Sequence, residues 1–226
     1  MWDKLSRVHP ESGAWPSPNV LQKSPFARRV ATVVSLWAFC DVELLLLLTG
    51  FLKADYRIVA EMLNVVTSGE AKMAMLKAAA ATRLRKRPKD LKLFDNVIDK
   101  VRDYKNTRNN MVHHLWGWAG KLDETKHLIL ASPSALIAFE LDKRSYESSK
   151  KPTKVPAQID TSNVRVARNT EFQTAENDSR RAIEMVRLLR KCLFGPRASR
   201  TQARVQLCRL LPVAPKDQVK STRKAH

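Results

Sequence analysis

The chain has 226 residues, 44% of them hydrophobic, which excludes wholesale disorder and allows one ordinary domain with appendages or two small ones. Lys and Arg number 41 against 22 Asp and Glu, a formal net charge of +19. A surplus of that size repels itself in the compact state and suits a polyanionic partner, with nucleic acid ahead of an anionic membrane surface.

Residues 1–23 hold Pro10, Gly13, Pro16 and Pro18 with little periodicity, so they read as an extended arm. No apolar run in the first 18 residues resembles a signal sequence, and a cytoplasmic protein is expected. Ser24-Pro25 suits a helix start, and a first helix is predicted from Phe26 to near Thr49, with Gly50 as its stop. Val30 to Leu52 is long enough to span a bilayer. Asp41 and Glu43 lie at its middle, however, and each central charge costs roughly 2.5–3.5 kcal/mol on insertion. A helix inside a protein bundle, with its acids near a partner, is the better expectation, so no membrane is expected.

A second helix is predicted from Asp55, with Ile58, Val59, Met62, Leu63 and Val66 at helical spacing. Thr67-Ser68-Gly69-Glu70 reads as a capping box opening an Ala-rich third helix to Leu84. The basic connector 83–87 ends at Pro88. Helix four then carries Leu91, Phe94, Val97, Ile98, Val101 and Tyr104, and the stripe continues to Arg108, where an apolar residue belongs. Trp116-Gly117-Trp118 is expected to close this helix. His127 to Leu141 reads as a small β-hairpin or two extended segments around Ser132-Pro133-Ser134, and the polar stretch to about Thr174 as loop. A last core helix is predicted from Arg180 to Phe194, capped by Asn177-Asp178 and stopped at Gly195-Pro196. The tail holds Arg197, Arg200, Arg204, Arg209, Lys216, Lys220, Arg223 and Lys224 against the single acid Asp217, with a short helix over 205–211. Three segments follow: the arm 1–23, a helical domain 24–195 and a basic tail 196–226.

Three widely spaced cysteines, Cys40, Cys192 and Cys208, have no zinc spacing, so no metal or cofactor is expected and free thiols are. The chemistry-bearing string is 104–117, where Arg108, Asn109 and His113 form R-N-x-x-x-H. Asn109 and His113 are i, i+4 neighbours on a helix, and Asn110 and His114 repeat the pair one step around. Arg108 lies about 100° from Asn109, near enough for its long side chain to reach the same phosphate. An imidazole titrating near neutrality can move the proton of a ribose 2′-hydroxyl. A guanidinium can stabilise charge on the pentacoordinate phosphorus. One histidine cannot serve both sides of that phosphorus, so a site shared by two copies in a homodimer is expected.

This string, on the fourth helix of a mainly helical chain and followed by Trp-Gly, resembles the R-x(4–6)-H hallmark of the HEPN superfamily. The resemblance spans roughly Ser24 to Phe194. It implies a four- to five-helix up-down bundle, dimerisation through the motif helices and, in active members, metal-independent endoribonuclease activity leaving a 2′,3′-cyclic phosphate. Arg108 matches the motif Arg, Asn109 the polar residue and His113 the motif His; His114 also satisfies the wider spacing. Val112 and His114 depart from the Ala and Gly of RNxxAHGxW-like signatures.

The fold expected is therefore mainly α, a HEPN-like bundle with a small β insertion after the motif helix. Arg83, Arg85, Lys86 and Arg87 in the connector, with Arg197 and Arg200 in the tail, are the expected nucleic-acid contacts. Two other readings stand beside the nuclease. One is a non-catalytic nucleic-acid-binding module. The other is an antitoxin-like adaptor whose basic surface meets an acidic protein.

Overall fold

A computed structural model describes residues 3–4, 14–16, 26–119, 127–134, 137, 141 and 164–211. Among them are six helices and five short strands. In chain order these are β1 (Asp3–Lys4), β2 (Ala14–Pro16), α1 (Ala27–Leu52), α2 (Tyr56–Val65), α3 (Gly69–Leu84) and α4 (Pro88–His113), then β3 (Leu115–Ala119), β4 (His127–Ala131), β5 (Arg165–Arg168), α5 (Asn169–Phe194) and α6 (Arg197–Leu210). The chain is mainly helical, as its periodicity implied.

The predicted helices largely hold, with instructive shifts. Asp55 caps α2, its carboxylate accepting the Arg57 amide at 2.7 Å. Ser68, not Thr67, caps α3, accepting the Ala71 amide at 3.3 Å; residue 71 is an alanine and returns no side-chain bond, so a simple N-cap stands in place of the expected Thr67–Glu70 capping box. Gly50 does not stop α1, which runs on to Leu52; Lys53 takes the left-handed turn at φ 54°. A Cβ at Gly50 would meet the Phe194 ring at 2.5 Å, so this glycine makes room for an aromatic neighbour. Pro88 opens α4, where its missing N–H costs nothing. The Ser24-Pro25 cap lies outside the described residues.

The chain groups into two compact units. The first takes in residues 1–42 and 101–183, the second 43–100 and 184–226, so the dividing points fall inside α1, α4 and α5.

The first unit holds an antiparallel sheet in the order β1-β5-β4-β3-β2. This corrects three expectations. Trp116-Gly117-Trp118 does not close a helix; it belongs to β3, which pairs with both β2 and β4. β4 pairs with β3 and β5 rather than forming a hairpin with the residues after it, and the described residues of 133–141 are helical. Residues 165–168, expected as loop, form β5. The described pieces of the arm are extended, and they are the sheet's edge strands. β4 is central, and Leu128 to Ala131 are all buried, the pattern of a strand covered on both faces. Phe172 of α5 is fully buried and stacks on Phe26 at 4.7 Å between centroids and on Trp116 at 5.7 Å. Trp116 is thus a packing residue. α5 begins at Asn169, eleven residues before its expected start, because Glu171 in its first turn accepts the Arg168 amide at 2.9 Å and satisfies an orphan donor there.

The second unit holds α2, α3 and α6 with the second half of α1, the first half of α4 and the end of α5. Leu47, Phe51, Leu76, Ala80, Phe94, Val97, Ile98, Met185 and Leu189 form its core. Glu43 is buried in the apolar run of α1, and both Arg187 and Arg190 reach its carboxylate. The expected partner for this acid is therefore present. By length and composition α1 could cross a membrane, with a mean hydropathy of 2.0 in its most apolar window. α6 covers 197–210, longer than the helix expected over 205–211.

Candidate functional site

The motif residues sit at the C-terminal end of α4. The buried stripe of that helix runs Phe94, Val97, Ile98, Val101, Tyr104 and Met111, and Arg108 falls in the gap between the last two. The arginine therefore occupies a core-facing slot, as its place in the pattern predicted. Its Nη1 donates to the Asn109 side-chain oxygen at 3.2 Å, while its Nε is buried and has no partner. Burying such a donor unpaired costs about 1–3 kcal/mol, more when the group is charged. Asn109 thus orients the guanidinium. The backbone places His113 at the last position of α4, one turn beyond Asn109. The His113 side chain lies outside the described residues. His114, directly after the helix, is half-buried.

A polar cavity of about 420 Å³ opens on a different side of the same helix. Asn106, Thr107 and Asn110 line it from α4, and Thr170, Glu171, Thr174 and Asp178 from α5, with Arg165 from β5. Arg108 and Asn109 do not line it. At 100° per residue, Arg108 points roughly 150° away from the mean direction of the three α4 lining residues. The cavity offers amides, hydroxyls, two acids and one arginine, so it suits a small polar molecule better than a polyphosphate. No spacing in the sequence announces it, because its walls come from segments about sixty residues apart. Across the sheet, His127 lies opposite Arg168, and its Nδ1 is buried without a partner. Among the described residues, no group of three or more His, Cys, Asp or Glu is placed to hold a metal ion.

The expected nucleic-acid contacts divide into two kinds. Arg83 donates from Nε to the Phe51 carbonyl at 2.6 Å, and Arg200 from Nε to the Gly195 carbonyl at 2.6 Å. These two arginines cap the C-terminal ends of α1 and α5, where a cation also meets the negative end of the helix dipole. Arg85, Lys86, Arg87 and Arg197 are exposed. Arg87 reaches Asp90 at 2.5 Å, and Arg204 reaches the other oxygen of the same carboxylate at 2.6 Å. Neither Asp90 nor its bridging role follows from residue spacing; an acid in the first turn of α4 is the one signal present locally.

No family model matches this chain, and searches of curated proteins and of solved structures likewise return no match.

Proposed function

We propose that the protein is a HEPN-like, RNA-directed helical protein of the cytoplasm that cleaves RNA without a metal ion. Arg108, Asn109 and His113 are its catalytic set, and two copies complete the site as a homodimer. One observation carries this reading. An arginine is kept in a core-facing slot of the motif helix, oriented by the adjacent asparagine, with a buried Nε that has no acceptor. A phosphate oxygen is an acceptor of the right charge for such a group.

In this scheme the ribose 2′-oxygen attacks the adjacent phosphorus and the bond to the 5′-oxygen breaks. One His113 takes the 2′-hydroxyl proton, and His113 of the second copy gives a proton to the leaving 5′-oxygen. The products are a 2′,3′-cyclic phosphate and a 5′-hydroxyl. Arg108 stabilises the charge that builds on the phosphoryl oxygens.

The test is cleavage of single-stranded and structured RNA in EDTA by the wild type, Arg108→Ala, Asn109→Ala and His113→Ala. The wild type should yield cyclic-phosphate ends, and the Arg108 and His113 variants should lose at least a hundredfold, on the order of a lost charge-stabilising or proton-transferring group. Equal activity in all four proteins, or none in the wild type, overturns the assignment.

A non-catalytic, nucleic-acid-binding reading is favoured by a separate observation: one carboxylate joins arginines from the connector and from α6. Under that reading RNA binding survives His113→Ala and no cleavage appears.

A further inference from the structure

The two basic runs that the sequence shows far apart meet at one side chain. Asp90 is largely buried, at 13% side-chain exposure, and its two oxygens hold Arg87 and Arg204, each with its side chain about half exposed. We infer that the Arg87–Asp90–Arg204 junction is the centre of a single surface that binds the phosphate backbone of RNA, flanked by Arg85, Lys86 and Arg197. The inference rests on the RNA-directed reading above and adds where the polymer is held.

Three physical points support it. First, a guanidinium carries five N–H donors in a rigid fork. The contacts with Asp90 leave donors on both arginines to face an oxyanion. Two guanidinium groups brought this near repel each other. The shared carboxylate offsets that repulsion and fixes both in place before any ligand arrives.

Second, the surroundings are one-signed. Residues 83–89 contain no acid, and neither do residues 195–211. Arg85, Lys86, Lys89 and Arg197 are all exposed. Asp90 therefore neutralises one charge of a group that otherwise holds only cations.

Third, the α6 face that carries Arg204 also presents Arg197, Thr201 and Cys208, residues with no large apolar side chain. A protein partner is ordinarily anchored by buried aromatic or aliphatic residues at the centre of the contact. Val205 of α6 is exposed at 49% but lies about 100° around the helix from Arg204, off this row of cations. A row of exposed guanidinium and ammonium groups with no apolar side chain at its centre fits phosphates, which fix a polymer's position without reading its bases. Arg83 and Arg200 are secondary, because each already spends its Nε on a helix end.

The test uses the full chain carrying His113→Ala, so that cleavage does not consume the probe, and a fluorescein-labelled 20-nucleotide single-stranded RNA. Binding should weaken as salt rises, and log K against log salt should give a slope that shrinks by about 0.7 for each phosphate contact removed. Arg204→Ala should weaken binding by about five- to tenfold at low salt. Among the described residues Lys86 and Arg85 make no ion pair, so Lys86→Ala and Arg85→Ala report on the surface without disturbing the fold, and each should also shrink the slope. Unchanged affinity and slope in the Arg85, Lys86 and Arg204 variants overturns the inference. The two proposals fail separately. Salt-dependent binding through these residues by a chain that never cuts RNA removes the nuclease and leaves the surface. Cleavage indifferent to all of them does the reverse.

Discussion

Arg190 grips Glu43 with two nitrogens, Nε at 3.2 Å and Nη2 at 3.1 Å from one carboxylate oxygen, while Arg187 takes the other oxygen at 3.0 Å. The acid is buried, at 7% exposure, and its partners reach water. A carboxylate in an apolar helix is thereby kept satisfied, at a sequence separation of about 145 residues. Removing the acid leaves two arginines that can still be hydrated, so the loss is smaller than for a fully buried pair. Glu43→Gln should lower the unfolding free energy by about 1–2 kcal/mol, read from the urea midpoint. In a double-mutant cycle with Arg190→Met the two losses should be less than additive. Additive losses would mean that the pair contributes nothing.

Gly50 lies inside α1, where alanine would ordinarily stabilise a helix by up to about 1 kcal/mol. Here the added methyl meets the Phe194 ring, which also packs edge-to-face on Phe51 at 5.1 Å between centroids. Gly50→Ala should therefore destabilise the wild type. The same change in a Phe194→Ala background should stabilise, because the obstacle is gone and helix propensity remains. Thermal melts of the four proteins give the sign directly.

Phe172 sits between Phe26 and Trp116 with its ring nearly parallel to both. Truncating it removes a fully buried ring and leaves a cavity. Phe172→Ala should cost about 3–5 kcal/mol, and Phe172→Leu distinctly less. Trp116 emission should shift to the red in the alanine variant as water gains access, seen as the difference from a Trp116→Phe control.

The three thiols should differ in reactivity. Cys40 and Cys192 are buried and Cys208 is exposed. Burial pushes the Cys192 thiol above its ordinary range, and the nearby Arg204 guanidinium only partly opposes this. A raised value means less thiolate at a given pH, hence slower attack on a disulfide reagent. At pH 8 one thiol should react fast with Ellman's reagent and two slowly, and the fast phase should vanish in Cys208→Ser. The Cys192 phase should quicken as pH rises and slow further in Arg204→Ala. Three equal rates would contradict this placement.

Local pattern was enough for the middles of most helices, though not for the first eleven residues of α5. The buried face of α4, the Asp55 cap of α2 and the proline at the start of α4 are decided within a few residues, by i, i+3 and i+4 spacing and by the needs of unpaired backbone amides. The same spacing exposed Arg108 as a polar residue in an apolar slot, which the structure bears out. The extended state of β4 and of the described arm residues was legible as well, but the pairing of the strands was not. β5 is four residues, Arg-Val-Ala-Arg, and its extended state comes from pairing with β4 and β1, from sequence distances that no short window contains. The same holds for the polar cavity between α4 and α5, for Asp90 gathering arginines from positions 87 and 204, and for Glu43 meeting α5. Backbone hydrogen bonding along a helix is a near-neighbour affair, so a single stretch of residues encodes it. Strand partners, ion pairs and cavity walls depend on which distant segments the folded chain brings together, and only the tertiary structure decides that.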